Sequence, residues 1–258
     1  MKRLWMGDYT REEVTELANR GCAAVVPLAA TEQHGPHLPV TTDSLICRHI
    51  VKEASLRASE RADLIIAPLL TIGCSQHHLA FGGTVSLTSS TYLQVLRDIG
   101  ESLIRDGFRR IIFLNGHGGN EHMMHQAAND LAVAHDVWTA SASYWQAARR
   151  ALDDSGARAY GIAPGHAGDF ETCAVLALQP ELVRSDRIPQ LHESREWIHT
   201  TPSGTFIGKH MELTGADGYT DAASLASAER GKAYLDAIVG EVSDWLVNTV
   251  QTMKKGAG

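Results

Sequence analysis

"CAAVVPLAATEQHGPHLPVTTDSLICRHIV", residues 22–51, holds three kinds of sequence in succession. The apolar run 22–30 has the length of a buried strand, and the stretch after it is broken by Gly35, Pro36 and Pro39. From 43 to 57 the apolar residues Leu45, Ile46, Ile50 and Val51 return at helical spacing. This is a strand, a loop and a helix. The loop carries Glu32, His34 and His37, and Asp43 opens the helix. All four side chains can bind a metal.

The same unit recurs along the chain. Strand-length apolar runs occur at 62–70 (ADLIIAPLL), 109–115 (RRIIFLN) and 137–145 (VWTASASYW), with helical patterns at 91–104, 120–134, 169–178 and 221–251. Strands alternating with helices require crossover connections, and these give a mainly parallel sheet covered on both faces. The expected fold class is α/β, a layered sandwich with helices flanking the sheet, built as one domain over 1–258. The region 184–219, rich in Gly, Pro, Ser and Thr, reads as an irregular excursion.

Composition narrows the function. The chain has 258 residues, 44% hydrophobic and 21% charged, as in an ordinary soluble protein with one sizeable core. A net charge of -7 provides no basic face for a phosphate backbone, so nucleic acid is an unfavourable partner and a small molecule the expected one. No apolar stretch approaches the roughly 18 residues that span a bilayer, and "MKRLWMGDYTREEV" lacks a signal-peptide core, so no membrane partner and a cytoplasmic location are expected. Cys22, Cys47, Cys74 and Cys173 form no C-x-x-C pair and read as reduced, buried thiols.

In an open α/β sheet ligands bind beyond the carboxyl ends of the strands. Glu32 and His34 follow the first strand, Ser75, His77 and His78 the second, His117 the third, and Tyr144 and Trp145 close the fourth. All four clusters therefore fall on one edge. Glu32 and His34, two apart, project to one side of an extended chain. Asp43 suits a helix N-cap, but its two oxygens also suit a bridge between two metals. His37 reads as a supporting residue. In "IIFLNGHGGN", 111–120, Gly116, Gly118 and Gly119 free the backbone around His117; the stretch has no P-loop lysine and does not match G-x-G-x-x-G. In "GHAGDFET", 165–172, His166 suits proton transfer, and Glu171 suits either a helix N-terminus or a metal.

The combination of "EQHGPHLPVTTD", "NGHGGN" and "GHAGDFET" resembles the creatininase (creatinine amidohydrolase) family, with "AFGGTVSL" and "SLASAERG" in support. The resemblance runs from about residue 4 to 240. It implies a layered α/β fold, two divalent metal ions per chain (Zn, Mn or Fe), hydrolysis of a C–N bond, commonly in a cyclic amide, by hydroxide held between the metals, and a homo-oligomer, often a hexamer. Carried over by position, Glu32 and His117 hold one metal, His34 the other, and Asp43 bridges them. His166 matches the catalytic histidine, and Ser75, Gly118, Tyr144 and Trp145 line the substrate. Creatininase has a metal-binding glutamate where this chain has Gly119, and Glu171 is the replacement the sequence offers. Creatininase also closes a tryptophan over its flat substrate; the matching "GIAPGHAG", 161–168, has no aromatic residue, which argues against efficient creatinine hydrolysis. The alternatives within the family are a formamide or peptide hydrolase and a hydrolase of cyclic diketones of the inosose type. A non-enzymatic metabolite-binding protein is a further reading.

Overall fold

Residues 23–28 and 110–115 alternate between the two faces of one sheet, and that alternation builds two cores. A computed structural model describes residues 3–190, 202, 205, 207 and 217–255. Strands β1 (Ala23–Leu28), β2 (Leu64–Ile66), β3 (Arg110–Asn115) and β4 (Trp138–Ser143) form a parallel sheet in the order β2-β1-β3-β4. Ala23, Val25, Leu64, Ile66, Ile112 and Leu114 enter one apolar cluster. Their chain neighbours Ala24, Val26, Leu28, Ile65, Ile111 and Phe113 enter the other. A period of two with both faces apolar is the pattern of a sheet covered by helices on both sides.

On the first face lie α2 (Thr42–Ala58), α7 (Asp169–Leu178) and the long closing helix α8 (Ala228–Lys255), packed on one another through residues such as Ile50, Ala54, Phe170, Ile238 and Val242. On the second lie α1 (Arg11–Asn19), α3 (Ser89–Arg105) and α4 (Glu121–Ala134), through Val14, Tyr92, Leu96, Met124 and Leu131. Two short helices, α5 (Tyr144–Ala147) and α6 (Arg149–Asp154), follow β4. No helix among the described residues is long and apolar enough to cross a membrane.

The expected elements are present with shifted ends. The 62–70 run yields a strand only at 64–66, because Pro68 has no N–H to continue the ladder; Leu70 rejoins as a single bridge to Leu28. Pro27 is tolerated in the central strand for a related reason. Its carbonyl accepts from Leu70 N–H at 3.0 Å, so its nitrogen faces the side where β2 has already ended. Tyr144 and Trp145 begin α5 rather than ending β4. The last helix starts at 228, not 221, because residues 220 and 221 are tied to the loop before α7, and Ser227 Oγ accepts from Arg230 N–H at 3.3 Å in the manner of a cap. Helix α1 had no expectation attached to it. Its signal was present as a capping box: Thr10 Oγ1 accepts from Glu13 N–H at 3.4 Å, and Glu13 Oε2 accepts from Thr10 N–H at 2.8 Å.

All four cysteines are free and buried. Most of the excursion expected at 184–219, with Trp197, lies outside the described residues. Trp5 and Trp245 pack partly buried against the first cluster.

Candidate active site

The connections after β1, β2 and β3, together with the loop into α7, deliver one cluster at the carboxyl edge of the sheet. Glu32 and His34 come from the loop after β1, and Asp43 from the first turn of α2. Ser75, His77 and His78 come from the turn around Gln76–Phe81, His117 from the loop after β3, and Glu171 from the first turn of α7. Glu32, His34, Asp43, Ser75, His78, His117, His166 and Glu171 are all buried. Three carboxylates thus lie in the interior, and among the described residues no lysine or arginine is paired with any of them. Their partners are imidazoles.

Hydrogen bonds to acceptor-only groups fix the tautomers. His34 Nδ1 lies 3.1 Å from the Glu32 carbonyl oxygen, so Nδ1 carries the proton and the Nε2 lone pair points inward. There it stands 3.2 Å from Asp43 Oδ1 and 3.6 Å from Glu171 Oε2. His117 Nε2 lies 3.2 Å from the Cys74 carbonyl oxygen and 3.1 Å from Ser75 Oγ, which leaves its Nδ1 lone pair 3.1 Å from Asp43 Oδ2 and 3.2 Å from Glu32 Oε1. Lone pairs therefore face carboxylate oxygens. Glu32 Oε1 and Oε2, His34 Nε2 and Asp43 Oδ2 have no hydrogen-bond partner although fully buried. Such an arrangement is costly unless a cation lies among the atoms.

The local field agrees. Burial opposes protonation of His34, but Asp43 and Glu171 outweigh it and raise its pKa well above the ordinary value. Burial is likewise outweighed at His117 by Glu32 and Asp43. The site draws positive charge. Donors around one tetrahedral ion at ~2 Å stand about 3.3 Å apart, close to the N···O separations of 3.1 to 3.2 Å seen here. The donor set, mixed imidazole and carboxylate, suits zinc, manganese or iron.

His166 differs from these two. Its Nε2 lies 3.0 Å from the Gln33 carbonyl oxygen and so carries the proton, leaving the Nδ1 lone pair 3.5 Å from Glu32 Oε1. Its ring is stacked on His78 at 4.1 Å between centroids and tilted against His34 at 4.3 Å. Burial, followed by His34, His78 and His117, pushes its pKa well below the ordinary value, which keeps it a neutral base. Glu171 is pinned from the same loop: its Oε2 accepts from Ala167 N–H at 2.6 Å, and Ala167 adopts a left-handed φ of 50°.

Of the residues expected to line the substrate, Ser75 touches the His117 ring, Gly118 is exposed at the rim, and Tyr144 is buried with its ring edge-on to Trp145 at 5.0 Å. Burial, then Glu171 and Asp43, raises the pKa of the Tyr144 hydroxyl. His37 stands apart as a support, its Nε2 2.8 Å from Thr172 Oγ1. Glu121 accepts from Ser143 Oγ at 2.6 Å and does not join the cluster.

Several supporting residues carried no signal in the sequence beyond their polarity. Gln33 fastens the His34 and His166 loops: its Oε1 accepts from Gly35 N–H at 2.9 Å, and its Nε2 donates to Gly218 O at 3.0 Å and to His78 Nδ1 at 2.8 Å. Asn115 holds the His117 loop from both ends of its amide, accepting from His117 N–H at 3.1 Å and donating to His117 O at 2.7 Å. Asn120 accepts from Cys74 N–H at 3.0 Å and links that loop to the β2 turn.

A parallel sheet covered by helices on both faces, with imidazoles and carboxylates converging on its carboxyl edge, defines a class of α/β fold with a candidate metal site at that edge. The chain belongs, within that class, to the creatininase family: the family model described as creatinine amidohydrolase matches residues 7–246. Creatinine amidohydrolase of Pseudomonas putida is 29% identical over 94% of this chain and 96% of its own length. The mycofactocin precursor peptide peptidase of Mycobacterium ulcerans (strain Agy99) is 30% identical over 71% of this chain and 69% of its own. Among solved structures, a creatininase with Mn superposes with a TM-score of 0.76 at 28% identity, covering 95% of this chain and 98% of that one.

Proposed function

We propose that this chain is a metal-dependent amidohydrolase that holds two divalent ions on either side of Asp43 and cleaves a C–N bond. One observation carries the reading: the two oxygens of Asp43 face different imidazoles, Oδ2 toward His117 Nδ1 at 3.1 Å and Oδ1 toward His34 Nε2 at 3.2 Å. Glu32, Asp43 and His117 would hold one ion, and His34, Asp43 and Glu171 the other. Glu171 takes the part of the glutamate that Gly119 lacks. When bound, zinc, manganese or iron ions polarise an amide carbonyl and make water a nucleophile near neutral pH.

The protein's own groups do the rest. His166 Nδ1, unprotonated and aimed at the carboxylate cluster, accepts a proton from the attacking water and returns it to the leaving nitrogen. The Gln33 carbonyl holds the opposite nitrogen and keeps the ring in that tautomer. Ser75 keeps His117 oriented from its far side, Gly118 is exposed beside that histidine, and the buried Tyr144 with its neighbour Trp145 would back the substrate pocket.

The substrate class follows from the segment before His166. Ile162, Ala163 and Pro164 supply no aromatic face for a small planar ring, so the favoured substrate is an amide larger or less planar than creatinine, cyclic or related. A peptide-like amide is the second reading, favoured by the similarity to a peptidase over two thirds of the chain. Elemental analysis of protein purified without chelator should find about two divalent ions per chain. Metal-loaded protein should then hydrolyse members of a panel of cyclic amides, formamides and short peptides faster than creatinine. Absence of bound metal, or creatinine turnover exceeding all others, would overturn the respective half of this proposal. A homo-oligomer, a hexamer by family resemblance, is expected in solution, and sedimentation as a 28.0 kDa monomer would refute it.

A further inference from the structure

His77 has no part in the scheme above, yet its ring stands at the edge of the cluster. It lies parallel to His117, with 6.0 Å between centroids and 8° between planes. Glu32, His77 and His117 each present one donor atom, and the three atoms lie within 4.8 Å of one another. The ring is half-buried, and among the described residues no lysine or arginine is paired with Glu32, whose partners are imidazoles.

The space for this ring is made by Gly119. A Cβ at that position would stand 2.1 Å from the Cys74 carbonyl oxygen, 2.5 Å from His117 Nε2 and 3.1 Å from His77 Cε1. Any side chain there would displace the β2 turn and the His117 ring, and would crowd the His77 ring by a few tenths of an ångström. The glycine and the two stacked imidazoles are thus one packing solution.

We infer that His77 is a metal ligand, a fourth protein donor that joins Glu32, Asp43 and His117 around one ion. The inference rests on the two-ion reading of the site. Its consequence is an asymmetry: the Glu32 side has four protein donors, and the His34 side has three, namely His34, Asp43 and Glu171. Full protein coordination marks a firmly held ion, and an open position marks the one accessible to water and substrate. The ion beside Glu32 is therefore the tighter of the two, and the ion beside His34 the exchangeable one.

Stepwise titration of the apoprotein with Zn²⁺ against a chelating indicator, and with Co²⁺ followed by visible absorption, tests this. The native chain should bind in two resolved steps. His77→Ala should weaken the tighter step by about tenfold or more and change the Co²⁺ spectrum of the first equivalent, with the second step and the melting temperature of the apoprotein unchanged. His77→Asp, which restores a donor, should recover most of the lost affinity. Two native-like steps and an unchanged spectrum in His77→Ala would overturn the assignment while leaving the two-ion site standing. Loss of both ions together with a lower apoprotein melting temperature would overturn it in favour of a packing role. A native chain that binds no ion would refute the two-ion reading and this inference alike.

Discussion

The backbone N–H of His166 donates to Thr220 Oγ1 at 2.8 Å, and the backbone N–H of Thr220 donates back to the His166 carbonyl at 2.8 Å. Residues 54 apart in sequence thus hold the proposed proton carrier from both sides of its peptide. Thr220 Oγ1 donates in turn to Asp221 Oδ1 at 2.7 Å, and Asp221 Oδ2 accepts from Asp169 N–H at 3.0 Å at the start of α7. Replacing Thr220 by Val keeps the shape but strands the His166 N–H, a loss of about 1–3 kcal/mol. Thr220→Val is expected to lower kcat with bound metal unchanged, measured as steady-state kinetics beside elemental analysis.

Asp43 and His166 should separate binding from turnover. Asp43→Ala removes the carboxylate shared between His34 and His117 and should release both ions. His166→Ala should retain them and lose hydrolysis. Equal metal content in the Asp43 variant and the native chain would refute the bridge, and metal loss in the His166 variant would make His166 a ligand.

Removal of metal should destabilise the fold. Ions that bind only the folded chain stabilise it by about 2.7 kcal/mol at a hundredfold excess over Kd. Without them, Glu32, Asp43 and Glu171 face lone pairs in the interior. Dialysis against chelator should lower the melting temperature, and addition of Zn²⁺ or Mn²⁺ should restore it. A chelator-insensitive melt would count against ion binding at this cluster.

His37 sets a pH dependence of stability. Thr172 Oγ1 donates to the Gly168 carbonyl at 2.7 Å, so it accepts from His37 Nε2–H at 2.8 Å, and the buried Nδ1 is left bare. Protonation would add a second N–H with no acceptor. Burial, then the nearby His34, lowers the His37 pKa from 6.5 to about 4. Between those values the unfolded chain binds a proton that the folded chain refuses, so stability falls as pH drops from about 6.5 to 4 and is fully present above that range. His37→Gln keeps a donor for Thr172 without titrating. Denaturant titrations across the range should show a shallower loss in that variant, and identical slopes would show that His37 does not contribute.

Gly231 in α8 reverses an ordinary expectation. Glycine to alanine inside a helix usually stabilises by about 1 kcal/mol. Here a Cβ would meet the Cys173 carbonyl oxygen of α7, at 1.9 Å from the oxygen and 2.4 Å from the carbon. Backbone cannot yield as a flexible side chain does, and the bidentate pair of Arg230 with Asp169, at 2.8 Å for both contacts, ties the two helices at the same level. Gly231→Ala should therefore lower stability by about 1–3 kcal/mol, read from thermal or urea unfolding.

The sequence by itself determined the architecture and the identity of the cluster. Apolar runs of strand length alternating with helical patterns specify a parallel sheet, since parallel strands need crossovers and both faces must be covered. Polar side chains placed after each run specify which edge carries chemistry. Glu32, His34 and His117 could be picked out in that way, Asp43, His166 and Glu171 from their place in or before the first turn of a helical pattern, and the parts given to them came from the family resemblance.

Tertiary structure alone decided what those residues do to one another. Which imidazole nitrogen is bare depends on a carbonyl brought from elsewhere, Cys74 for His117 and Gln33 for His166, and no local pattern encodes such pairs. The same holds for the Thr220 contact that fixes His166 and for the start of α8 at residue 228, where long-range hydrogen bonds overrode a helical pattern. His77 stood in the sequence as one polar residue among several after a strand. Its ring comes beside His117 across two loops that meet at Gly119, because close packing, unlike periodicity, is a property of residues distant in the chain.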